Sequence, residues 1–127
     1  MARQLPVWLF STLLLAAPFA ASAHHSFAMF DADNPVELSG VVTDFKFTSP
    51  HAFIMMKVVG QDGGSAVWSL EGVSASSLVR DGWSSKTLKS GDEIKAKVTP
   101  LRSGAPGGAW AAKDTSFKDG KPIVVSH

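Results

Sequence analysis

From Glu93 to Thr99 apolar and polar residues alternate without a break, Ile94, Ala96 and Val98 against Glu93, Lys95, Lys97 and Thr99. That period of two predicts a half-buried β-strand. Val36 to Phe47 is rich in Val, Phe and Thr and lies between Asn34-Pro35 and Ser49-Pro50, so it reads as a first strand. Ala52 to Val59 is an apolar run closed by Gly60-Gln61-Asp62-Gly63-Gly64, a turn that favours an antiparallel hairpin into Ala66 to Glu71. Ser74 to Arg80 breaks the pattern. Ser74 suits an N-cap, Leu78 and Val79 supply apolar contacts, and Asp81-Gly82 offers a left-handed stop, which together predict a short helix. Beyond the strand at Glu93, three Gly and one Pro make Leu101 to Gly108 a loop. Ala109 to Phe117 then reads as a fifth strand, and Asp119-Gly120 as a turn into a last apolar stretch, Ile123 to Val125.

Three strands, a short helix and two or three further strands are the element order of a small all-β, OB-like antiparallel barrel with its helix between strands three and four. A split sandwich or an open meander fits the same periodicity, which carries no strand order.

The first 23 residues do not belong to this pattern. Arg3 precedes an apolar core from Val7 to Leu15, and Pro18 leads to Ala21-Ser22-Ala23, the features of a cleaved secretory signal with its cut after Ala23. The apolar core is shorter than the roughly 20 residues a spanning helix needs. The expected product is a periplasmic or secreted protein without a membrane anchor, with 24–35 as a segment packed on the barrel and 36–127 as the OB-like domain.

Removing that segment changes the composition. The chain has 12 Lys+Arg, 11 Asp+Glu and no Cys. Arg3 is the one charge before residue 24, so the remainder is balanced apart from its histidines. Balance argues against a nucleic-acid clamp, and the lack of cysteine excludes a disulfide scaffold or a thiolate zinc site. A remainder this short leaves little room to enclose a cofactor, and the expectation is a non-enzymatic protein.

The run His24-His25-Ser26-Phe27, with Phe30-Asp31, Pro35-Val36, Ser49-Pro50-His51, Trp68-Ser69-Leu70-Glu71-Gly72, Leu78 to Trp83, Leu88 and Gly91-Asp92, resembles a family of small exported bacterial proteins of unknown function. Where that family's pattern has Asn-Pro-His with a preceding Trp, this chain has Phe47-Thr48-Ser49-Pro50-His51. The resemblance implies export and a compact β-rich domain, and brings no catalytic activity.

Cleavage after Ala23 makes His24 the N-terminus, where an α-amine and a ring nitrogen chelate together. With His51 as a second imidazole, the set suits Cu(II) or another divalent metal. His25 is a less direct ligand, because neighbouring side chains of an extended chain point apart. The other reading makes His24 and His25 a polar terminus and His51 a loop residue that caps by hydrogen bonding. Phe27, Met29 and Phe30 carry apolar surface that should pack on the barrel and bring the terminus with it. Met29, Met55 and Met56 would suit Cu(I), although Met beside β-branched residues is commonly core filler.

A second constellation is aromatic: Phe45, Phe47, Phe53 and Trp68, with Met55. They lie on or near strands one to three, the face with which OB barrels usually bind, so these residues are candidates for a protein, peptide or small ligand, or else for the core. Strict alternation puts Phe45 and Phe47 on the side of strand one opposite Val42, so that both faces carry bulk. Among the acids, Asp31 and Glu71 have no spacing that marks a shared acid–base site. Glu71 is expected to cap the helix region or to pair with Arg80.

Overall fold

The computed structural model describes residues 27–124. Five strands, β1 (Val36–Lys46), β2 (Phe53–Val59), β3 (Ser65–Glu71), β4 (Glu93–Pro100) and β5 (Gly107–Phe117), form a closed barrel in the order β1-β2-β3-β5-β4. The one α-helix among the described residues, α1 (Ala75–Arg80), lies between β3 and β4. The barrel is OB-like, and no helix of the described residues is long and apolar enough to cross a membrane.

Alternation builds the interior as expected for β4, where Ile94, Ala96 and Val98 are buried and the residues between them are not. From β2 come Ile54 and Met56, and from β3 Leu70, all fully buried. Helix α1 begins at the Ser74 cap, whose hydroxyl accepts from the Ser77 amide, and stops at Gly82 with φ +84°. Its Leu78 joins Trp83 and Leu88 in the same core cluster, so the helix and the turns after it pack against the barrel interior.

Four expectations need correction. The barrel is not wholly antiparallel: β3 meets β5 in parallel, through Ser69–Glu71 and Gly107–Ala109. Gly107 and Gly108 belong to β5 rather than to a loop. A Cβ on Gly108 would stand 2.5 Å from the Thr99 carbonyl oxygen and from Val98 Cγ1, so glycine is required there by close approach between strands. Of the stretch Ile123 to Val125, Ile123 and Val124 are in no strand, and Val125 lies outside the described residues. Past the Asp119-Gly120 turn there is a single bridge, Ser116 to Pro122, and Pro122 has no amide hydrogen with which to extend a ladder.

The fourth correction concerns strand phase. The register of β1 on β2 pairs Val42 with Met56 and Asp44 with Met55, so Thr43 is an extra residue in a bulge. Its hydroxyl donates to the Met55 carbonyl at 3.1 Å. One inserted residue reverses the alternation beyond it, so Phe45 and Phe47 turn to the same interior side as Leu38 and Val42. Phe45 packs with ring centroids 6.0 Å from Trp83 and 6.5 Å from Trp110.

At the N-terminal side a 3-10 turn, Phe27–Met29, leads to Phe30, which bridges to Leu101 and is 8% exposed. Phe27 and Met29 are 83% and 51% exposed, so of the three apolar residues Phe30 alone is buried.

Candidate functional site

The loop between β1 and β2 is bolted to the segment between β3 and α1 by backbone bonds. Ala52 N–H donates to Val73 O, Gly72 N–H to Ala52 O, and Ala75 N–H to Thr48 O, at 2.8–3.0 Å. Thr48 Oγ1 donates to the His51 carbonyl at 2.9 Å, and the Ser49–Pro50 peptide is cis. His51 is therefore held at the corner where two connections cross, on the outer side of the sheet, since Ala52, Ile54 and Met56 take the inner side.

The ring of His51 is oriented as well as placed. Nδ1 lies 3.0 Å from Gly72 O and 3.4 Å from Glu71 Oε1. A carbonyl only accepts, so Nδ1 carries the hydrogen and Nε2 holds the lone pair of the neutral ring. Glu71 lies beyond a good hydrogen-bond length and contributes mainly its field, screened because the two side chains are 29% and 26% exposed. Glu71 was expected to cap the helix region or pair with Arg80. Instead its carboxylate stands at His51, the cap is Ser74, and Arg80 Nη2 donates to Ser77 Oγ at 3.2 Å. The reason is strand parity: Glu71 sits opposite Phe53 on the outer face, beside the position His51 occupies.

The four aromatic candidates do not form one face. Phe45 and Phe47 pack inward, and Trp68, paired with the fully buried Met56, is packed against the core as well. Phe53 alone lies on the outer face, half-buried next to His51 and Glu71, with Met55 two residues further along β2. Met56 is core; Met29 is exposed.

His24, His25 and the Ala23 cut site lie outside the described residues. Among the described residues no group of three His, Cys, Asp or Glu is arranged to hold a metal ion. Asp31 is engaged locally. Its Oδ2 accepts from Asn34 Nδ2 at 3.0 Å, while Oδ1 has Arg102 Nη1 at 3.4 Å without hydrogen-bond geometry, so that contact is coulombic. Sequence reading did not foresee the pairing of His51 with Glu71 and Gly72. Its two halves stand in the Ser49-Pro50-His51 and Trp68-to-Gly72 motifs, but nothing local says that they touch.

The fold defines a small OB-like β-barrel with His51 at the corner of its outer face. Residues 12–111 match a family of unknown function, DUF6152, and the chain belongs to that family. No curated protein and no solved structure matches it.

Proposed function

We propose that this is an exported, non-enzymatic binding protein, cleaved after Ala23, in which His51 Nε2 supplies one ligand of a divalent metal site, copper above all. The α-amine and imidazole of His24 complete the site, with His25 as the substitute donor. The observation that carries this reading is the commitment of His51 Nδ1 to Gly72 O with Glu71 alongside. A histidine that ligates through one nitrogen usually gives the other N–H to a carbonyl or carboxylate, which sets ring orientation and basicity. The same bond serves a loop-capping histidine, so the metal itself has to be measured.

The reach is compatible. From Phe30 across Leu101 and Gly107 to Ser69 is three strand steps, about 14 Å, and two residues along β3 bring the path to about 16 Å. A 3-10 turn of three residues rises about 6 Å, and any three residues span at most about 10 Å.

The test is a Cu(II) titration of protein beginning at His24, beside the same protein with one added N-terminal residue and beside His51→Ala. One equivalent should bind the first at least a hundredfold more tightly than either of the others, and binding should weaken on acidification as the amine retains its proton. Equal affinity in all three forms refutes the site.

A second reading rests on Phe53, which stands with Met55 on the outer face of β2 where OB barrels take ligands. There the protein binds a protein, peptide or small ligand without metal, and the histidines are incidental. Charge balance disfavours nucleic acid as that ligand. Phe53→Ala should abolish such binding and leave a copper titration unchanged.

A further inference from the structure

The closure of the barrel is incomplete along β3. Its ladder with β5 covers only Ser69–Glu71, so Ser65–Trp68 is paired with β2 on one side alone. Ser69 N–H donates to Pro106 O, which places the N–H and C=O of the odd-numbered residues on the β5 side. Ser65 and Val67 share that parity, and among the described residues neither makes a backbone hydrogen bond in that direction. Both are exposed, Val67 at 49%.

Two free backbone groups per residue, repeating every second residue along an extended strand, match another extended backbone. The inner side of this edge adjoins a cleft of about 670 Å³ at the barrel mouth, lined by Leu38, Val58, Ala66 and Trp68. Its rim carries Glu37 and Asp62, and no lysine or arginine of the described residues lines it. An added strand turns alternate side chains toward that cleft, where an apolar residue covers Trp68 and a neighbouring cation meets the acids.

We propose that the free edge of β3 at Ser65–Val67 is a docking strand for an extended, apolar and basic peptide segment of another protein, bound by β-augmentation with an apolar side chain in the cleft beside Trp68. This surface is separate from the His51 corner and stands or falls without a metal.

The experiment uses the chain from His24 onward, labelled with ¹⁵N, and a synthetic Lys-Val-Thr-Val-Lys peptide as probe. Controls carry Glu in place of both Lys, or Pro in place of the central Thr. Amide shifts should move at Ser65–Trp68 and in the cleft, Val67 amide exchange should slow, and both controls should bind at least tenfold more weakly. Val67→Pro removes a donor aimed at the free side and leaves the bonds to β2 with Ala66, Trp68 and Leu70, so it should lower affinity at least tenfold. Should that variant misfold, Glu37→Gln provides the second comparison, with a severalfold loss for the Lys peptide. The proposal is overturned if millimolar peptide moves no β3 amide, if the shifts map elsewhere, or if Val67→Pro folds and binds as well as its parent. It is also overturned if the edge is protected by concentration-dependent self-association, in which case a second copy is the occupant.

Discussion

Gly72 lies against the indole of Trp110 so closely that a Cβ built on it would stand 2.6 Å from both Nε1 and Cε2. That indole is 5% exposed, its Nε1 has no hydrogen-bond partner among the described residues, and its ring centroid lies 5.3 Å from that of Trp83 in a tilted contact. The same glycine offers its carbonyl to His51. One residue thus links the core aromatic cluster to the candidate site.

Gly72→Ala should therefore act on both. Overpacking against a ring that cannot retreat costs about 1–3 kcal/mol, to be read from urea unfolding. The His51 ring signals should shift in the folded fraction. Unchanged stability would mean that Trp110 has room to move.

Phe45→Ala tests the bulge. An outward Phe on a barrel face would be lost with little effect, whereas one packed on Trp83 and Trp110 should cost about 2–4 kcal/mol, slightly below the range for a fully buried ring. Deleting Thr43 should cost less than Phe45→Ala, because a regular strand keeps Val42 opposite Met56 and Asp44 opposite Met55, with Phe45 and Phe47 still turned inward.

The tautomer of His51 is directly observable. Long-range ¹H–¹⁵N correlation in the neutral ring should show Nδ1 protonated and Nε2 unprotonated, in apo protein and whatever the outcome of metal titration. Glu71→Gln should leave that tautomer in place, since the Gly72 carbonyl remains the acceptor. Finding Nε2 protonated instead would undo the argument for metal ligation.

At the turn after β5, the backbone N–H of Lys121, 3.0 Å from Asp119 Oδ1, is the main reason that this carboxyl titrates below its ordinary value of 3.8; the Lys121 ammonium adds to it. A folded-state pKa below the unfolded one means the turn is favoured above the ordinary value and loses that support as pH falls through the lowered one. Because the backbone bond dominates, a carbon-detected titration should find most of the shift retained in Lys121→Ala and removed in Lys121→Pro.

The helix gives a local control. Ser74→Ala should cost about 1 kcal/mol through loss of the cap and leave the His51 signals near their parent positions.

What could be read in advance depended on the range of the interaction. The alternation of Ile94, Ala96 and Val98, the hairpin turn after Val59, and the Ser74 cap with its Gly82 stop are each written within a few residues, and each appears in the structure. So is the order of elements, which was enough for an OB-like barrel. Glycine at 107 and 108 misled, because strand crowding and loop freedom leave the same letter.

The sequence by itself determined the strands, the helix between the third and fourth of them, the balanced charge and the histidines worth testing. Only the tertiary structure decided that Phe45 and Phe47 face inward, that β3 closes on β5 in parallel and leaves its first half unpaired, and that His51 meets Glu71 and Gly72. A periodicity records which side of its own strand a residue occupies. A single bulge residue reverses that side, and contacts between residues about twenty positions apart depend on how the chain closes in space, which no local pattern encodes.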